Sequence, residues 1–186
     1  MNDTLATQSA PADGPIVIVG GGHAAAALCA GLAEAGLGAN THLVCEETSL
    51  PYQRPPLSKA FLKDASAVVQ PLRSAQGYAQ AGISLYLADP AIRLDRAARR
   101  VHLASGRVLP YAQLVLATGA RARALPGLPA ALDNVCLLRS LADAERLRSR
   151  MHAAQQVTVL GGGFIGLEVA ATAREEAMKK VSPQSA

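Results

Sequence analysis

Tryptophan is absent from this 186-residue chain, and four tyrosines and two phenylalanines hold the aromatic share to 3%. So little stacking material argues against a single-stranded nucleic acid as partner. Charged residues are also few, 17% against 50% hydrophobic, which excludes a disordered chain. The 16 glycines follow no triplet period, so a collagen-like fold is excluded. Three cysteines, Cys29, Cys45 and Cys136, are odd in number and widely spaced. They form neither a disulfide framework nor a metal or redox pair, and they fit a reducing compartment, so the cytoplasm is the expected location. His23, His42, His102 and His152 show no metal-ligand spacing, and no metal is expected. No apolar run reaches the length of a membrane span, because Gly20, His23, Glu34 and Gly36 interrupt the Ala-rich stretch near the start. Residues 1–14 carry an early acid and no apolar h-region, and read as a disordered leader instead of a signal peptide. The formal charge of +4 favours an acidic partner.

What is present is a repeated pattern. From Pro15 to Val44 a short apolar run, a glycine cluster, an Ala/Leu-rich segment and a second apolar run follow one another. This predicts a strand at about Ile16–Val19, a helix from His23 to Gly36 or Gly38, and a strand over His42–Cys45. Pro51, Pro55 and Pro56 make 46–58 a loop, with a helical turn over Lys59–Lys63. A helix is expected over Ser74–Ala81 and strands over Ser84–Leu87, Ala91–Asp95, Arg99–Ala104, Arg107–Pro110 and Leu114–Ala117. Residues 120–135 form a connector rich in Arg, Pro and Gly, and place a domain boundary between 15–119 and 120–186. Ser140 with Asp143 three residues on predicts a capped helix to about Met151. The first pattern then returns: Val157–Leu160 as a buried strand, a glycine cluster, and a helix from Phe164 to about Met178. Lys179-Lys180-Val181 reads as the entry to a further strand, so the second copy is incomplete.

Both glycine clusters sit where a dinucleotide would meet a helix N-terminus. Gly20-Gly21-Gly22-His23-Ala24-Ala25 fits G-x-G-x-x-A: Gly20 for the sharp turn, Gly22 for approach of a diphosphate, small Ala25 for close packing of helix on strand. Glu46, at the expected end of the second strand, is placed to accept hydrogen bonds from a ribose, with Glu47 the alternative if the strand end lies one residue on. Gly161-Gly162-Gly163-Phe164-Ile165-Gly166 matches G-x-G-x-x-G. The fold class is therefore α/β, with two Rossmann-like dinucleotide-binding units, the second truncated. Two such units imply two nucleotides, the arrangement expected of a flavoprotein that takes hydride from a nicotinamide.

The string Tyr52-Gln53-Arg54-Pro55-Pro56-Leu57-Ser58-Lys59, flanked by the first glycine cluster, by Leu116-Ala117-Thr118-Gly119 and by GGGFIGLEVA, resembles the FAD-dependent ferredoxin and rubredoxin reductase family. The similarity covers about Pro15 to Lys180. It implies that Gly20, Gly22, Ala24 and Ala25 line the FAD diphosphate turn, that Glu46 holds the ribose and that Lys59 approaches the flavin. It also makes Arg54, Ala91, Thr118, Gly119 and Arg139 cofactor contacts. Gly161, Gly163, Ile165 and Gly166 would receive NAD(P)H. Glu168 would lie in the first turn of its helix and face Lys59, so Lys59 and Glu168 are the expected catalytic pair. No cysteine stands in the Pro55–Lys59 segment, where related disulfide reductases carry redox thiols.

The resemblance implies hydride transfer from NAD(P)H to FAD, then single electrons to a small iron-sulfur protein, a ferredoxin or rubredoxin. Neither nucleic acid nor membrane is an expected partner. Ordinary domain sizes make such an enzyme roughly twice this length. The alternative expectation is a truncated, non-catalytic piece, at most a weak FAD- or nucleotide-binding module. The arginines Arg93, Arg96, Arg99, Arg100 and Arg107 are expected on a solvated β face.

Overall fold

A computed structural model describes residues 14–124, 126–127 and 132–181, the last four as backbone. The expected leader, apart from Gly14, lies outside them. Chain contacts define two compact units, one of residues up to Tyr52 with Pro71–Gly119, the other of Gln53–Gln70 with residues from Ala120 onward.

The first unit is a parallel sheet with a helix on one face and a small antiparallel sheet on the other. β1 (Ile16–Val19) pairs in parallel with β2 (Thr41–Val44) on one side and β7 (Gln113–Leu116) on the other, and β2 with β3 (Ser84–Tyr86), in the order β3-β2-β1-β7. β1 is apolar at every position because both its faces are covered. Ile16 and Ile18 point into a core with Leu43, Ala25, Cys29 and Tyr78, whereas Val17 and Val44 face Val101, Leu103 and Leu109. α1 (His23–Glu34) turns Ala25, Ala26 and Cys29 inward, small side chains that let its backbone lie close to the sheet. α3 (Ala75–Gln80) is capped by Ser74, whose Oγ accepts the Gly77 N–H. The opposite face is covered by β4 (Ala91–Asp95), β5 (Arg100–Leu103) and β6 (Val108–Pro110), an antiparallel meander. Arg93, Arg96, Arg100 and Arg107 are exposed on this meander, and Arg99, half-buried, adopts φ +50°.

In the second unit a 3-10 turn over Pro55–Ser58 leads into α2 (Ala60–Lys63), and two longer helices follow, α4 (Leu141–Ala153) and α5 (Phe164–Val181). Leu62 packs with Met151 and Val169 to form its core. Arg148 stacks on the Phe61 ring at 4.2 Å and donates to the carbonyls of Phe61, Asp64 and Ala65, closing the end of α2.

Two expectations need correction here. Val157–Leu160 pairs with no strand among the described residues, and Val157 and Leu160 are exposed rather than buried. An apolar run becomes a covered parallel strand only where neighbouring strands supply hydrogen bonds, and the described residues of this unit supply none. Lys179-Lys180-Val181 is not a strand entry but the last part of α5. Beyond Gly166 that segment holds strong helix formers and no glycine or proline, so the helix propagates through it.

Candidate functional site

In the first unit the chain runs from β1 to β2 and β3 on one side, then returns to β7 on the other. This reversal makes the carboxyl end of β1 the switch point of the sheet, the place where open α/β folds form a ligand crevice. The glycine turn is pinned there: the Gly20 N–H donates to the Val44 carbonyl at 2.8 Å, and the Ala117 N–H donates to the Val19 carbonyl at 2.8 Å. Gly20 has φ +124°, and a Cβ on it would lie 2.1 Å from the Ala117 carbonyl oxygen. Packing of the protein alone therefore demands glycine at this position. A Cβ on Gly21 would meet the Cys45 Sγ at 3.0 Å.

Gly22 is different. Its backbone is extended, and a Cβ there would meet nothing within 4 Å. Among the described residues nothing requires glycine here, and they leave the face over Gly22 open. α1 starts at the next residue with no side-chain cap and no acid in its first turn. Its leading amides and the positive end of its dipole thus remain available to an anion. Ala24 is exposed in that first turn, His23 is exposed beside it, and Ala25 is fully buried against the sheet.

Thr118 and Gly119, the latter at φ +67°, leave β7 on the other side of the same switch point and are exposed. Glu46 follows β2 and is exposed, whereas the neighbouring Glu47 carboxylate accepts the Tyr52 hydroxyl at 2.6 Å. That bond ties the Glu47 carboxylate to the Tyr52 ring. Ala91 opens β4 at a register shift opposite Leu103. A cleft of about 550 Å³ beside Tyr86 and Arg107 was not foreseen. Its polar end is closed on itself, because Asp89 accepts both the N–H and the Oγ–H of Ser105, which hold its carboxyl below the usual range.

The second unit gathers residues far apart in sequence. The Lys59 Nζ lies 3.4 Å from Glu168 Oε1, and the Ser58 hydroxyl donates to Glu168 Oε2 at 2.5 Å. The Ser58 hydrogen bond is the largest cause that holds the Glu168 carboxyl below its ordinary range; burial opposes it, and the Lys59 charge adds a smaller lowering. Because α5 already begins at Phe164, Glu168 lies beyond the first turn, which holds no acid. The helix dipole is therefore not what occupies its carboxylate. Ser58 stands in the string that carries the resemblance, but no local signal pairs it with a residue 110 positions on. Arg54 Nη1 donates to the Arg139 carbonyl at 3.0 Å, and the Arg139 Nε donates to the Ala120 carbonyl at 2.9 Å.

At the second glycine cluster, Gly161 adopts φ +113°, and a Cβ on Gly166 would lie 2.5 Å from the Gly161 carbonyl oxygen. Gly166 is thus the close-packing glycine of the turn. Gly161, Gly162 and Gly163 have open space where a side chain would stand, and Ile165 is exposed.

A glycine turn at the switch point of a parallel sheet, with an uncapped helix behind it, defines a Rossmann-like α/β protein. The family model described as pyridine nucleotide-disulphide oxidoreductase matches residues 14–182, and the chain belongs to that family. It is 43% identical over 164 residues to the rhodocoxin reductase of Rhodococcus erythropolis, spanning 88% of this chain and 38% of that one. The ferredoxin–NAD(+) reductase component of the p-cumate 2,3-dioxygenase system of Pseudomonas putida is 40% identical over 159 residues, 86% of this chain and 40% of that one. Among solved structures, a ferredoxin reductase from Rhodopseudomonas palustris matches with a TM-score of 0.80 and 40% identity, covering 89% of this chain and 41% of that chain. The chain thus spans about two fifths of the length of these relatives. Among the described residues no helix is long and apolar enough to cross a membrane.

Proposed function

We propose that this chain carries the FAD site and part of the NAD(P)H site of a flavin-dependent NAD(P)H oxidoreductase whose acceptor is a small iron-sulfur protein, a ferredoxin or rubredoxin. The observation that carries the reading is the open face over Gly22 at the sheet's switch point, beside an uncapped helix. Gly20, Gly22, Ala24 and Ala25 would form the diphosphate cradle, Glu46 would accept from the ribose, and Ala91, Thr118 and Gly119 would line the same cofactor. By the same resemblance Arg54 and Arg139 would be further FAD contacts. Gly161, Gly163, Ile165 and Gly166 would receive the nicotinamide dinucleotide.

When bound, FAD supplies what no side chain can, acceptance of a hydride and release of single electrons. The protein's share is electrostatic. Lys59 would hold an ammonium where negative charge develops, and Glu168 would keep that ammonium in place. Neither residue acts as a nucleophile. The three cysteines are unpaired. Burial pushes the Cys29 thiol up to about 11 and the Cys45 thiol up to about 12, so neither is suited to thiol exchange. Unpaired thiols also support a cytoplasmic location.

The test is an absorbance spectrum of the purified chain with FAD, before and after anaerobic NADH. Bound flavin that bleaches is the expected result. Absence of bound flavin would overturn the FAD assignment for this chain, and bound flavin that neither NADH nor NADPH bleaches would leave a nucleotide-binding module without the activity.

A further inference from the structure

We propose that Ser58 is a positioning residue, whose hydroxyl grips one oxygen of the Glu168 carboxylate so that the other faces the Lys59 ammonium. The inference rests on the proposed role of Lys59 and Glu168, and extends it to a residue that neither cluster of glycines would single out.

The geometry points to this in three ways. First, the two carboxylate oxygens have separate partners: Ser58 Oγ on Oε2 and Lys59 Nζ on Oε1. Both partners are needed to fix the rotation of a carboxylate about its last torsion, which is otherwise broad. Second, Ser58 is 7% exposed while the Lys59 side chain is 59% exposed. The buried hydroxyl is the fixed end of the arrangement and the lysine the mobile end, because a solvated ion pair by itself holds geometry weakly. Third, the hydroxyl has no capping task of its own, because the N-cap of the turn over Pro55–Ser58 is Arg54 and that of α2 is Lys59. Neither the turn over Pro55–Ser58 nor α2 receives a side-chain cap, so the hydroxyl is spent on Glu168 and not on the local backbone.

The helix that carries the carboxylate is fixed at its main chain. Thr172, fully buried, donates its hydroxyl to the Glu168 carbonyl at 3.0 Å, and Val169 packs with Leu62 and Met151 in the core of this unit. Among the described residues, the Ser58 hydroxyl and the Lys59 ammonium contact the Glu168 carboxylate; Lys63, on the adjoining turn of α2, is engaged with Glu175 at 2.9 Å. The lowered Glu168 carboxyl agrees with this arrangement, its largest cause being the Ser58 hydrogen bond.

The experiment is a side-chain carbon NMR titration of the whole chain without cofactors, following the Glu168 carboxyl and the Lys59 Cε signals. In the wild type, Glu168 is expected to titrate below an ordinary glutamate, and the Lys59 signal to move with it. In Ser58→Ala the Glu168 midpoint should rise and the Lys59 response to it should shrink, while Ser58→Thr keeps the wild-type midpoint. Ser58→Cys, with a weak thiol donor of similar size, serves as the second variant and should also raise the midpoint. An unchanged Glu168 midpoint in Ser58→Ala or in Ser58→Cys, or a Lys59 response as large as in the wild type, would overturn the proposal. Because no flavin or nicotinamide is added, this result is independent of whether the chain binds FAD.

Discussion

At the scale of single residues, the three glycines of the first turn look alike in sequence and do different work. Gly20 is held by the protein's own backbone, since any side chain would collide with the Ala117 carbonyl and would also have to adopt φ +124°. Gly22 is free of both constraints. Gly20→Ala should therefore lower stability by about 3 kcal/mol in urea denaturation, as expected where strain and a backbone clash coincide. Gly22→Ala should cost about 1 kcal/mol or less, the ordinary difference at a helix N-cap, yet weaken FAD binding measured by fluorescence quenching. Equal loss of stability in the two variants would show that Gly22 is structural after all. The motif was legible in the sequence; the division of labour within it was not, because it depends on where Ala117 lies, 97 positions downstream of Gly20 by their residue numbers.

At the scale of elements, local signals were read accurately where local chemistry decides. β1 is Ile16–Val19, as the unbroken apolar run predicts. The capping box at α4 is present in full: the Asp143 N–H donates to Ser140 Oγ at 3.2 Å, and the Asp143 carboxylate accepts from the Ser140 N–H at 2.8 Å. The same carboxylate accepts the Arg139 N–H at 3.0 Å. Ser140→Ala is expected to destabilise by about 1 kcal/mol, and Asp143→Ala by more, because it strips partners from two amides at once. Denaturation followed by far-ultraviolet circular dichroism would measure both, and the reverse order would contradict this account of the cap. Where an element depends on partners, the sequence misleads. Val157–Leu160 has the composition of a buried strand and no ladder among the described residues.

At the scale of the whole molecule, the consequence of that missing ladder is apolar surface. Leu160 is 67% exposed, Phe164 89% and Leu167 60%, all around the second glycine turn. Exposed apolar residues clustered in one short segment invite association. The purified chain should bind an apolar fluorescent dye and self-associate as its concentration rises, by light scattering. Phe164→Ser and Leu167→Ser together should lower both signals; if neither changes, the surface responsible lies elsewhere. The chain spans about two fifths of its relatives, while the family match extends over 14–182, so family membership and completeness of a catalytic apparatus are separate questions for this molecule.

The sequence by itself determined the parts whose causes lie within a few residues: the β1–turn–α1 unit, the Ser140 cap, and the string around Lys59. These follow from steric limits on φ and ψ, from hydrogen bonds that span three or four positions, and from apolar periodicity. Only the tertiary structure decided which glycine faces open space, that Glu47 is tied to Tyr52 while Glu46 stays exposed, and that Ser58 meets Glu168 across 110 positions. Such contacts arise from packing between distant segments, and no local propensity encodes which side chains that packing will bring within 3 Å of one another.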